Sequence, residues 1–86
     1  MKRRLNAGDV VVHFKKQDSD QDNTKYIYKI IDFARHTENG ESLVIYQALY
    51  PPFKVWARPY DMFMSKVDKI KYPDADQEYR FEKYEE

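Results

Sequence analysis

The sequence contains no cysteine. That excludes a disulfide framework and any thiolate metal site, and it fits a reducing cytoplasm. Glycine is nearly absent too, with only Gly8 and Gly40 present. A glycine-rich loop that cradles phosphate is excluded on that ground. No apolar run approaches the ~20 residues of a membrane span, so no membrane partner is expected. Met1-Lys2-Arg3-Arg4 has the charge of a signal-peptide start, but Asn6, Gly8 and Asp9 stand where an apolar stretch should follow. Neither sign of charge prevails: fifteen basic and fifteen acidic residues cancel, which argues against a generic polyanion binder.

The charge is unevenly spread. Residues 1–71 hold thirteen Lys or Arg against nine Asp or Glu, whereas residues 72–86 hold two against six. A mildly basic body and an acidic tail read first as two solvated surfaces. Aromatic residues are what the chain has in plenty: one Trp, five Phe and eight Tyr among 86 residues. A chain of this length makes one domain, residues 1–86, and large rings give its small core the most buried area per residue. Residues 1–7 and the acidic end, 82–86, are expected to fray.

The stretch from Tyr26 to Tyr50 organises the rest. Two runs rich in β-branched and aromatic residues flank Asn39-Gly40, the pattern of a hairpin with a type I′ turn. With that pair at the tip, Thr37 faces Ser42, Arg35 faces Val44, Phe33 faces Tyr46 and Ile31 faces Ala48. The other face carries Ile30 with Leu49, Asp32 with Gln47, Ala34 with Ile45 and His36 with Leu43. Both faces are substantially apolar, which predicts a hairpin wrapped by other strands.

Val10–Lys15 reads as a first strand with His13 and Lys15 on one side. Residues 16–25 read as a polar loop. Asp18, Asp20 and Asp22 have calcium-loop spacing, but Asn23 replaces the turn glycine and Lys29 the bidentate glutamate. Pro51-Pro52 ends the second hairpin strand. Lys54–Arg58 is a short strand that puts Lys54, Trp56 and Arg58 on one face, and Pro59 opens a helical turn over residues 60–63. Val67–Tyr72 alternates as an edge strand defended by lysines. Glu78–Phe81 suits a closing strand, although Gln77, Phe81 and Tyr84 also fit helical spacing. About five short strands and one helical turn before the penultimate strand make an all-β domain. A small, strongly bent, SH3-like barrel would remove its exposed edges.

Taken together, His13-Phe14-Lys15, Tyr28-x-Ile30, Ala34-Arg35-His36-Thr37-Glu38, Val44-Ile45-Tyr46-Gln47-Ala48-Leu49-Tyr50, Trp56-x-Arg58-Pro59-x-x-Met62-Phe63 and Arg80-Phe81 resemble a small bacterial family catalogued as a domain of unknown function. The resemblance runs from Gly8 to Phe81. It implies an SH3-like barrel in a stand-alone cytoplasmic protein, and it implies no activity. The chain departs from the family pattern in its acidic first loop, with Lys16 where members carry glycine, and at Asp32, where a small residue is usual.

No catalytic set, cofactor motif or metal-ligand spacing emerges. His13 and His36 are the only histidines, and nothing in the spacing joins them, so each reads as a surface or capping residue. The candidate binding residues are His13, Lys15, Arg35, His36, Tyr46, Tyr50, Trp56 and Arg58. Arg35 and Tyr46 are expected diagonally across one rung, beside Trp56 and Arg58 on the next strand. Outside a barrel these rings and guanidinium groups would form a stacking and anion-binding face; inside it, Trp56 and Tyr46 would be core, and a buried Arg58 would need Asp32 or Asp61. The leading expectation is a non-catalytic module binding a protein, peptide or small molecule through this face. The alternatives are single-stranded nucleic-acid binding and a histidine-dependent enzyme on an anionic substrate.

Overall fold

The computed structural model describes residues 4–18 and 25–84. Asp20, Asp22 and Asn23 of the acidic loop, like the first three and last two residues, lie outside them. Five antiparallel strands form one sheet: β1 (Val10–His13), β2 (Ile27–Arg35), β3 (Ser42–Ala48), β4 (Val55–Pro59) and β5 (Phe81–Lys83). Their order across the sheet is β4-β3-β2-β1-β5. A 3-10 turn, Phe14–Asp18, follows β1, and one short helix, α1 (Tyr60–Phe63), follows β4.

The hairpin forms where expected, with a different register. Arg35 pairs with Ser42, Phe33 with Val44, and Ile30 with Tyr46, with a bulge at Ile31 between Ile30 and Asp32. The tip is not a type I′ turn. His36 and Glu41 close it, with the His36 N–H donating to the Glu41 carbonyl at 2.8 Å and the Gly40 N–H to the His36 carbonyl at 2.9 Å. Within the tip, residues 37–40, Gly40 alone takes positive φ, at 71°, so a longer loop with one left-handed residue replaces a two-residue turn. The extra residue at Ile31 then reverses which β2 side chains face inward, because the side-chain period of a strand is two. Tyr28 and Ile30 share the buried face with Tyr46 and Ala48, where Phe33 had been expected opposite Tyr46. Asp32 supports the irregularity by accepting the Phe33 N–H at 2.8 Å.

The core comprises Val11, Tyr28, Ile30, Val44, Tyr46, Ala48, Phe63 and Phe81. Each large side chain so buried contributes about 1.5–3 kcal/mol. Pro59, with φ −52° and ψ 137°, sets the chain direction into α1, which drops Phe63 into the centre at 0% exposure. The edge strands β4 and β5 share no ladder among the described residues. Side chains approach across the gap: the Arg58 guanidinium lies 5.7 Å from the Phe81 ring centre, and Tyr46 lies 5.5 Å from it.

Several expectations are corrected. The outer half of the hairpin is not wrapped, since Asp32, Phe33, Ala34 and Arg35 are all exposed. Val67–Tyr72 is not a strand. Asp68 Oδ1 accepts the N–H groups of Ile70 and Lys71 at 3.0 and 3.2 Å, and the Tyr72 N–H reaches the Asp68 carbonyl at 2.8 Å. This side-chain-capped turn outcompetes a ladder, and Ile70 is left 97% exposed. The last strand therefore begins at Phe81, and Glu82 and Lys83 belong to it rather than to a frayed end. At the other terminus, Leu5 packs against the core and the Gly8 N–H donates to the Ile30 carbonyl at 2.7 Å.

Candidate functional site

Alternation along β4 places Lys54, Trp56 and Arg58 on one face, and the register aligns Trp56 with Tyr46 and Arg58 with Val44. This is the core face of the sheet. Because β4 is an edge strand, the face runs on there beyond the packed centre. Tyr46 is buried, while Trp56 keeps 47% of its surface exposed. The Lys54 ammonium sits 5.8 Å from the Trp56 ring centre. Arg58 Nε donates to the Tyr46 hydroxyl at 3.2 Å, so its partner is a phenol and not Asp32 or Asp61.

At the hairpin end, Phe33 and Tyr60 remain 38% and 39% exposed, with ring centres 6.2 Å apart. With Arg35, Ser42 and Leu43 they line an open depression of about 470 Å³. A second depression of about 270 Å³ adjoins it through Ser42 and Tyr60, with Glu41 and Asp61 on its wall. Arg35 belongs to this end and is not diagonal to Tyr46. The longer tip loop moves it opposite Ser42, and its Nη1 donates to the Gly40 carbonyl at 3.0 Å.

His13 is buried, not a surface group. Its ring packs 5.0 Å from Phe81 and 4.6 Å from Phe14, and its Nδ1 accepts the Lys15 N–H at 3.1 Å. Burial, and then the positive charges of Arg58, Arg80 and Lys15, lower its pKa from 6.5 to about 4. The ring is thus neutral at pH 7. Lys15 does not emerge beside it, because the 3-10 turn begins at Phe14. Its ammonium lies 5.7 Å from the Tyr72 ring centre. His36 caps the hairpin loop, its Nδ1 accepting the Glu38 N–H at 3.0 Å. Tyr50 packs against the core and shares a 2.8 Å hydrogen bond with the Tyr28 hydroxyl. Burial first, and then that bond, hold the Tyr28 phenol well above its ordinary range.

The structure thus divides the eight expected residues. Trp56, Arg58 and Tyr46 come together, Arg35 stands in a separate depression, and His13 and Tyr50 serve the core. Phe33, Tyr60 and Arg80 were not singled out beforehand. Arg80 Nε donates to the Ser65 hydroxyl at 3.3 Å. Its only sequence signal was the Arg80-Phe81 pair. Among the described residues, no group of three or more His, Asp or Glu converges as metal ligands. None of their helices is long and apolar enough to cross a membrane.

The chain belongs to a family described as a protein of unknown function (DUF1653), whose profile matches residues 9–83. No curated protein and no solved structure matches it.

Proposed function

From a family membership that carries no activity, we propose that this chain is a non-catalytic binding module that takes a peptide or small ligand on the aromatic and cationic rim of its sheet. One observation supports this reading above others: the core face continues past its packed centre as half-exposed rings, with Trp56 between Lys54 and Arg58, and Phe33 against Tyr60. Rings held on strands lose little entropy on binding, and neighbouring cations add orientation. The strand order, with β5 beside β1 and a short helix before the last strand, supports an SH3-like architecture. A cytoplasmic site of action belongs to the same reading, supported by the absence of cysteine.

Amide-shift mapping with a panel of short apolar, proline-containing and acidic peptides tests it. Shifts should gather on residues 33, 35, 56, 58 and 60, and Trp56→Ala with Tyr60→Ala should abolish them while the variants stay folded. Shifts confined to the opposite face, or unchanged in those variants, would defeat the reading. A second reading, single-stranded nucleic-acid binding, is favoured by the exposed indole flanked by Lys54 and Arg58. Affinity for an oligonucleotide that falls steeply with added salt separates the two.

A further inference from the structure

β4 is an outer strand of the sheet, and its backbone has a defined phase. The Ala48 N–H donates to the Lys54 carbonyl at 2.9 Å. The same register continues through Gln47 with Val55, Tyr46 with Trp56, Ile45 with Ala57 and Val44 with Arg58. Opposed residues of an antiparallel ladder alternate between hydrogen-bonded and non-bonded pairs. Lys54, Trp56 and Arg58 therefore direct their backbone groups to β3, whereas Val55 and Ala57 turn both N–H and C=O outward. Among the described residues no hydrogen bond reaches the Val55 or Ala57 backbone from outside the sheet. Val55, Trp56 and Ala57 are all exposed. Proteins usually blunt such an edge with charge, proline, bulges or a covering segment. On β4 the charges and the proline stand only at the ends, as Lys54, Arg58 and Pro59, and the middle is left open.

The side chains around that opening carry a charge pattern. Lys54 and Arg58 lie on one face of β4 with Trp56 between them, and the Lys54 ammonium sits 5.8 Å from the Trp56 ring centre. Among the described residues no carboxylate pairs with either cation; the ion pairs there join Lys66 to Glu78 and Lys83 to Asp9. A strand laid beside β4 sets its alternate side chains opposite these three residues. A second copy of β4 centred on Trp56 would set Lys54 against Arg58, a like-charge pairing that is unfavourable. The complementary strand has an acidic residue at each end and an apolar one between them.

We propose that β4 accepts an extended acidic segment of a partner protein as an added antiparallel strand. The segment exchanges backbone hydrogen bonds with Val55 and Ala57 and sets an acidic–x–apolar–x–acidic pattern against Arg58, Trp56 and Lys54. This inference rests on the binding reading above and deepens it. The partner is held through its main chain, and the cations select its sequence.

The test uses the intact chain and the capped peptide Ser-Glu-Val-Leu-Val-Glu-Ser. Binding is followed by amide shifts and by hydrogen exchange at Val55 and Ala57. Slowed exchange at both amides is expected on saturation, a change that a ligand held only by side chains would not produce. N-methylation of both peptide valines, whose N–H groups face β4, should weaken binding at least tenfold, whereas N-methylation of the leucine should weaken it less. Lys54→Glu should weaken binding severalfold, and changing the second peptide Glu to Lys should restore it. Ala57→Pro, which removes an outward N–H at an edge, should abolish binding; the N-methylated peptides make the same test without altering the protein. Equal affinity for the valine-methylated peptide, or for a peptide with both Glu changed to Lys, would overturn the proposal. So would protection of Val55 and Ala57 that rises with protein concentration alone, which would assign the edge to a second copy. Shifts at residues 33 and 60 without protection at 55 and 57 would overturn strand addition and leave the binding reading standing. The absence of shifts with this peptide and with the peptide panel would defeat both.

Discussion

The rings of Phe63 and Phe81 lie parallel, their centres 4.1 Å apart and their planes 6° from coincidence. One comes from the short helix after β4 and the other from the last strand. Their contact fastens the C-terminal return of the chain to the sheet. Both are essentially buried, at 0% and 1% exposure. Phe81→Ala should therefore cost about 3–5 kcal/mol, the range for a buried Phe truncation. A domain of this size has only roughly 5–10 kcal/mol in total. Urea denaturation of Phe81→Ala and the milder Phe81→Leu should show both destabilised, the alanine variant close to unfolding.

Acid should weaken the fold through His13. Its folded pKa, about 4, lies below the ordinary 6.5. Above pH 6.5 the ring is neutral in both states and contributes nothing to the pH dependence. As pH falls from 6.5 towards 4, the unfolded chain takes up a proton that the folded chain refuses, so stability declines across that window. At ~1.4 kcal/mol per pH unit the full effect is about 3 kcal/mol, reduced to about 2 by solvent near the ring. His13→Asn retains an acceptor for the Lys15 N–H and carries no titration. Comparing unfolding free energies at pH 7.5 and 4.5 should show a smaller loss in the variant than in the parent chain.

Phe53 sits at φ 59° although it is not glycine, and it is 51% exposed. Its N–H donates to the Tyr50 carbonyl at 2.8 Å, and its carbonyl accepts Gln47 Nε2 at 3.0 Å. The left-handed conformation costs a residue with a side chain about 1–2 kcal/mol. Phe53→Gly relieves that strain and adds unfolded-state entropy. Thermal unfolding should show a net gain of roughly 0.5–1 kcal/mol. A loss would mean that the exposed ring packs on the sheet.

The turn around Asp68 separates two roles that the alternating pattern of residues 67–72 merges. Asp68→Ala removes the acceptor for two backbone N–H groups and should cost about 1 kcal/mol. Ile70→Lys alters a side chain in open water and should change stability by less than about 0.5 kcal/mol. If this segment were a strand packed on the sheet, Ile70→Lys would be the damaging change, so urea midpoints of the two variants decide the matter.

Local chemistry already determines much of this protein. Alternation and β-branched content mark β1, β3 and β4. Pro59 marks the start of α1, and the apolar runs on either side of Gly40 mark the hairpin, because these signals act within a few residues. Tertiary structure decided the remainder. The bulge at Ile31 and the longer tip loop set which β2 side chains enter the core, since burial of Tyr28 and Ile30 against Tyr46 and Ala48 is satisfied in that register. Burial likewise took His13 inside and, because β4 is an edge, left Trp56 outside. The approach of Arg58 to Phe81, and the stacking of Phe81 on Phe63, follow from packing between segments far apart in the chain, which no local pattern encodes.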